Sequence, residues 1–571
     1  MIDNRNKGQY DKYPEKRVEG YKGVAGWKDI CKHLQSIKNG VIVAEFYPGV
    51  NTAEIVDNLK TIGGQMFNAE DCMIAEDEYH VLIKPYLTED RVFGVMNTLC
   101  LEDVYSLHKI QAMQEELRNC EGLKIVYGTG ASLITHADVL VYFDMSRWEL
   151  QCRYKNGASN WHTSNRDEDK LKKYKQGFFV EWRMADRKKR QLLEKIDFIV
   201  DTVHADKPKM VCGDGFRAGL KLFVSEPFRL MPYFAPEVWG GQWMKEVCDL
   251  PREVENYAWA FDGVPEENSI LMRFGDVLLE LPSINVVFYY PRQLLGDRVH
   301  ARFGDEFPIR FDFLDTMGGQ NLSMQVHPLT EYIQNTFGMH YTQDESYYIL
   351  DCEDEALVYL GLKENIDKEK MLHELQKAQD EGATFAAENF INAWPAKKHD
   401  HFLIPAGTIH CSGKNTMVLE ISATPYIFTF KLWDWERVGL DGKPRPVHLQ
   451  HGKQVIQWDR TTNWVEENLI NRSEIIREEA NFKEERTGLH EREFIETRRY
   501  TLKDKKSFET GDSVSMCNVV DGKGVIVTSP DNSFTAFEVH YAETFIIPAS
   551  VKNFSLEPLD DSCMVVRATV R

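Results

Sequence analysis

The chain has 571 residues, 43% of them hydrophobic and 27% charged, a balance that excludes a largely disordered protein. This length exceeds what one hydrophobic core usually supports, so about two to four domains are expected. A formal charge of -21 excludes a surface dominated by nucleic-acid binding, while a small anionic ligand needs only a few local cations.

Met1 to Arg17 is polar and lacks the apolar core of a signal peptide, and no later run is long enough to span a bilayer. A cytoplasmic protein with no membrane partner is expected. The 11 cysteines stand singly between Cys31 and Cys563 without a C-x-x-C pair, the pattern of reduced core residues rather than of a thiolate metal site.

From about Gly23 to Gly219, helix-like stretches alternate with the apolar runs Val41–Ala44, Lys124–Tyr127, Val139–Phe143 and Phe198–Val200, which predicts a parallel sheet covered by helices. A phosphate-binding loop would follow the first run. Aligned with G-x-x-x-x-G-K-S/T, the chain places Glu45 and Val50 at the glycines and Asn51 at the lysine, and only Thr52 fits. Backbone amides and a lysine are what neutralise a phosphate there, and Glu45 repels it instead. Asp138 to Asp144, followed by Arg147, Trp148, Arg153, Asn160 and Trp161, resembles the late strand and lid of uridine-kinase-like enzymes. Residues 1–225 are therefore expected to form a P-loop-kinase-like α/β domain with a degenerate loop and no kinase activity.

Pro227, Pro232 and Pro236 mark a junction. Beyond it, short strand-like runs at Val286–Tyr290, Ile309–Phe313, Tyr347–Leu350 and Ala356–Leu360 predict a jelly-roll barrel over 226–453, interrupted by a helical insertion at about 366–395. Residues 454–571 are expected to hold a polar helical connector, up to about Glu496, and then a second barrel. In that second barrel Phe545 to Asn553 repeats Phe402 to His410, with Asn553 in the place of His410. The fold class is thus multidomain, α/β followed by two all-β barrels.

Gln325 and His327, two apart on a strand, share a face. With Glu345 and His410 at the ends of other strands, they form a candidate metal site in the mouth of the first barrel. Two imidazoles, a carboxylate and an amide oxygen suit zinc, and the same residue types also admit manganese, iron, cobalt or nickel.

Trp239-Gly240-Gly241, Leu322 to Pro328, Glu345 to Asp351, Phe402 to His410, and Asp434-Trp435-x-Arg437 with Gly442 to His448 closely resemble type I phosphomannose isomerases, in family order. The resemblance spans about Phe223 to Arg571, and the kinase-like domain is extra to the family pattern. It implies a zinc-dependent cupin enzyme acting on a small sugar phosphate, interconverting mannose 6-phosphate and fructose 6-phosphate. Gln325, His327, Glu345 and His410 match the metal ligands, and Ser323 and Arg437 match phosphate-binding positions. Glu420 and Lys431 are the candidates for proton transfer, Lys431 standing where members carry an arginine. Gln343 stands where members commonly carry a lysine, which removes one cation. Two alternatives remain beside the isomerase: a non-catalytic sugar-phosphate sensor coupled to a pseudokinase domain, and an isomerase of another phosphorylated sugar.

Overall fold

The runs Val41–Ala44 and Val139–Phe143 are apolar at every position, the pattern of strands buried on both faces. The structure, a computed structural model, describes residues 9–440, 442, 445–488 and 490–571, so most of the polar leader and Lys443 and Pro444 of the 442–448 motif lie outside the described residues. In it these runs join a seven-stranded sheet ordered Val24–Ala25, Lys209–Cys212, Phe198–Asp201, Val139–Asp144, Gly40–Phe46, Leu123–Gly128 and Gln65–Asn68. The last five are mutually parallel, and Lys209–Cys212 runs against them. The chain first builds the Leu123 and Gln65 side of Gly40–Phe46 and then crosses to Val139–Asp144, so the order reverses between those two strands.

This α/β unit comprises residues 15–222 and 266–290. The second piece holds the hairpin Ser269–Phe274 and Val277–Pro282 and the helix Ile284–Tyr289. The run Val286–Tyr290, expected as a strand, is therefore mostly helical. Its residues from Ile284 to Phe288 are all buried, and a short apolar run buried on every side carries no periodicity to distinguish helix from strand.

The other unit holds residues 1–14, 223–265 and 291–571. Its first barrel packs a six-stranded antiparallel sheet, ordered His401–Ile404, Glu345–Cys352, Thr416–Ala423, Ile309–Asp315, Trp259–Gly263 and Tyr233–Ala235, against a five-stranded one. The latter is ordered Ile391–Pro395, Leu357–Leu362, His410–Ser412, Met324–Val326 and Phe430–Trp433. The expected insertion contains the helix Lys368–Glu381, started by the Asp367 side chain and stopped by Gly382 at φ 68°. Its last residues return to the barrel as the edge strand Ile391–Pro395.

The connector departs from expectation. Its helices, Leu449–Val455 and Thr462–Asn468, give way to strands Glu474–Glu479 and Phe482–Gly488, which open a second six-stranded sheet. Glu474–Glu479 is an edge strand exposed at every position, and the charges that protect such an edge read like those of a solvated helix. The second barrel is filled by Phe482, Tyr500, Val519, Val527, Phe545, Phe554, Leu556 and other apolar side chains. Asn553 is exposed, and its neighbour Phe554 fills the interior. No described helix is long and apolar enough to cross a membrane.

Candidate metal centre

Strand pairing explains which side chains meet. On the six-stranded sheet Glu345 lies opposite Ser422, Tyr347 opposite Glu420, and Glu420 opposite Asp312. Directly opposed residues share a face, so Glu345, Tyr347, Glu420 and Asp312 project to one side. On the five-stranded sheet Gln325 is flanked by His410 and Lys431.

His327, Glu345 and His410 converge, with donor atoms within 4.8 Å of one another. His410 Nε2 lies 2.7 Å from Glu345 Oε1, His327 Nε2 lies 3.1 Å from Glu345 Oε2, and the Gln325 amide lies 3.2 Å from His410 Nε2. His410 Nδ1 is 2.9 Å from the Thr408 carbonyl. A carbonyl only accepts, so Nδ1 carries the proton and Nε2 turns its lone pair toward the Glu345 oxygen. Two lone pairs at that separation repel unless a proton or a metal cation lies between them. Both His327 nitrogens and Glu345 Oε1 are buried without a partner of hydrogen-bonding geometry. Leaving such atoms bare costs about 1–3 kcal/mol each. A divalent ion would satisfy Glu345 Oε1 and one His327 nitrogen, with the Gln325 amide turned to present its oxygen, and this donor set suits a divalent transition metal. Burial pushes the Glu345 carboxyl up, but His327 and His410 outweigh it and hold it well below the usual carboxylate range.

The turn before His410 is fixed from a distance. The buried Arg460 guanidinium donates to the carbonyls of Pro405 (2.7 Å) and Ala406 (2.8 Å) and to the Thr408 hydroxyl. Gly407 holds φ 87°, and a Cβ there would meet Gln457 Cγ at 2.6 Å. Tyr347 packs edge-on against the His410 ring at 5.7 Å.

Glu420 lies beside this cluster. Burial, with Asp312 and Glu345, pushes its carboxyl well above the ordinary value, and Arg310, 3.4 Å from Glu420 and 3.3 Å from Asp312, offsets only part. Gln343 donates 3.0 Å to Glu345 and 3.1 Å to Glu420, so the residue in the lysine position links two carboxylates. Neither Gln343 nor the Arg310–Asp312 pair was singled out as a bridge from sequence, although the polar residues at alternate positions of Ile309 to Phe313 were the available signal. Half-buried Lys431 is pushed down to about 8 by burial and then by Arg445, against Asp434 and Glu237. Its ammonium makes no hydrogen bond or close ion pair among the described residues.

Ser323 and Arg437 are the two phosphate candidates. Ser323 is buried ahead of Met324–Val326, whose pairing with the facing strand skips Leu432 between Met324 and Gln325. Arg437 donates to Asp434 Oδ1 and the Asn321 carbonyl, both at 2.6 Å, and Arg445 reaches the same Asp434 oxygen at 3.1 Å. Trp435 and Glu436, between Asp434 and Arg437, hold φ 55° and 60°, a strained pair of left-handed residues.

A two-sheet barrel enclosing a His–Glu–His cluster defines a class of β proteins with a candidate metal site, and comparison with known proteins narrows it. ManA, a mannose-6-phosphate isomerase of Bacillus subtilis, is 28% identical over 237 residues, 41% of this chain and 69% of that protein. GmuF, a probable mannose-6-phosphate isomerase of the same organism, is 23% identical over 338 residues, 58% of this chain and 97% of that protein. The crystal structure of the B. subtilis mannose 6-phosphate isomerase matches with a TM-score of 0.50 at 18% identity, covering 60% of this chain and 99% of that one. Over roughly its C-terminal 60%, the chain is thus homologous to mannose-6-phosphate isomerases. Residues 26–225 match a family described as a domain of unknown function (DUF8485). The uridine-kinase-like relationship expected for that region finds no support in these comparisons.

Proposed function

We propose that the protein is a metal-dependent aldose–ketose isomerase interconverting mannose 6-phosphate and fructose 6-phosphate, with zinc as its ion. The observation that carries this reading is the buried His327–Glu345–His410 cluster, with His327 and Glu345 Oε1 lacking hydrogen-bond partners, in a chain homologous to such isomerases. Gln325, His327, Glu345 and His410 would hold the ion, which when bound supplies Lewis-acid stabilisation of charge on the sugar's O1 and O2.

The remaining chemistry falls to this chain's side chains. Isomerisation of the open-chain aldose moves a proton from C2 to C1 through an enediolate. Glu420, in its ionised form, takes and returns that proton, and its raised proton affinity makes that form a strong base for a carboxylate. The Lys431 ammonium, across from it on the other sheet, donates to the oxygen that gains charge. Gln343 holds the Glu345 and Glu420 carboxylates in place. Ser323 and the remaining Arg437 donors take the phosphate.

A sugar-phosphate sensor without turnover is a second reading, favoured by Gln343 standing where a cation would face the substrate. Incubation of metal-loaded protein with mannose 6-phosphate decides between them. Formation of fructose 6-phosphate well above a His410→Ala control is expected, binding without turnover would leave the sensor, and conversion only of another sugar phosphate would change the substrate.

A further inference from the structure

Open α/β sheets hold their ligands outside the carboxyl ends of the strands, where the strand order reverses. In the α/β unit that place lies beyond Phe46 and Asp144, and it is filled by the chain itself. After the first strand, the N–H groups of Val50 and Thr52 are spent on the carbonyls of Tyr47 (3.3 Å) and Val50 (2.9 Å), and that of Glu54 on the Asn51 side chain (3.3 Å). The amides of Gly130 and Ser132 are likewise taken by Glu45, at 2.6 and 2.7 Å. These five amides, which could otherwise face an anion, already have partners.

The cations beyond the second strand are also occupied. Almost fully buried Arg147 pairs with Asp186 and, at 3.1 Å, with Glu266, and Arg183 lies 3.9 Å from the same Glu266 oxygen. Lys189 pairs with Asp144 at 2.7 Å. Asn285 donates to Asp144 (2.9 Å), the Glu280 N–H to Asp201 (2.8 Å), and Gln151 to Glu267 (3.1 Å), while the Phe288 ring lies 4.3 Å from Arg190. Glu266, Glu267, Glu280, Asn285 and Phe288 all belong to 266–290, the segment that interrupts the chain of the other unit. It reaches the carboxyl ends of two adjacent strands, at Asp144 and Asp201.

We propose that segment 266–290 is the resident occupant of this crevice, its Glu266 carboxylate standing on Arg147 and Arg183 where a ligand's phosphate would, so that the intact protein takes up no nucleotide or polyphosphate there. An incoming triphosphate would have to break buried ion pairs and bring its charge against Asp144, Asp186 and Glu45. The inference is independent of the isomerase reading.

Calorimetric titration of the full-length protein with ATP and with tripolyphosphate tests it. The wild type is expected to bind neither at millimolar concentration. Glu266→Gln keeps the shape and removes the charge, and should bind tripolyphosphate roughly tenfold or more tighter than the wild type. Glu267→Gln, whose side chain accepts from Gln151, should leave binding as it was. Wild-type binding of either compound, or Glu266→Gln binding no tighter than the wild type, overturns the proposal. Should Glu266→Gln fail to fold, hydrogen exchange on the wild type still decides: protection of 144–147 or 266–290 that changes with ATP refutes an occupied crevice, and unchanged, slow exchange supports it.

Discussion

The two barrels share an antiparallel two-sheet architecture and a nearly repeated strand and turn, yet their interiors are opposites. Between its sheets the first carries Asp312, His327, Glu345, His410 and Glu420, while the second carries Val519, Phe545, Phe554 and Val565. The turn that ends in a ligand candidate at His410 ends, in the second barrel, at solvent-exposed Asn553 with Phe554 turned inward. A barrel filled with apolar side chains gains stability from every contact, whereas one lined by charges must hold each in a specific partnership. On the proposed function, chemistry and cohesion are thereby divided between the two barrels.

The sharpest way to break this comparison is His410→Ala, which should reduce turnover by about 10³-fold or more and lower bound metal while leaving the fold intact, as read by rate, elemental analysis and circular dichroism. Next comes Phe554→Ala in the other barrel. It should cost about 3–5 kcal/mol in denaturant unfolding and leave metal content and kcat of the folded protein unchanged. Equal losses of metal from both variants would refute the division.

Lys431 sharpens the contrast further, because it should support activity at the expense of stability. Its folded value of about 8 lies below the ordinary 10.5. Between those pH values the unfolded chain keeps a proton that the folded chain has released, so stability rises with pH across that window and is lower once pH falls to about 8. At neutral pH Lys431→Met should therefore stabilise the protein by about 1 kcal/mol, allowing for solvent screening, and lower kcat by about 10²-fold. Lys431→Arg should retain the charge and abolish the fall in kcat expected above about pH 8. Finally, Asn553→Ala should move stability by less than about 0.5 kcal/mol, its position being exposed. A larger loss would mean that the second barrel keeps a polar interior contact there.

Much of the framework was legible because its signals are local. The fully apolar Val41–Ala44 and Val139–Phe143 announced buried parallel strands, and the spacing of Gln325 and His327 announced a shared wall. The helix Ile284–Tyr289 was not legible, since burial on every side erases its period. The hairpin after Asn468 was hidden by the charges that an exposed edge strand requires. In the site, His327, Glu345 and His410 came together from sequence-distant strands, but the Gln343 link between Glu345 and Glu420 depends on cross-strand register that no single segment encodes. The bulge at Leu432, opposite Met324 and Gln325, likewise lies in the pairing of two distant segments and is encoded by neither alone.

Arg460 carries a lesson about modularity. It lies beyond residue 453, where a compositional boundary between the barrels would fall, yet it holds the Pro405 and Ala406 carbonyls and the Thr408 hydroxyl, and the Thr408 carbonyl sets the His410 tautomer. The first barrel is therefore not a transplantable cassette: a graft ending at 453 would carry His410 without the guanidinium that steadies its turn, and its ring would be free to present the wrong nitrogen.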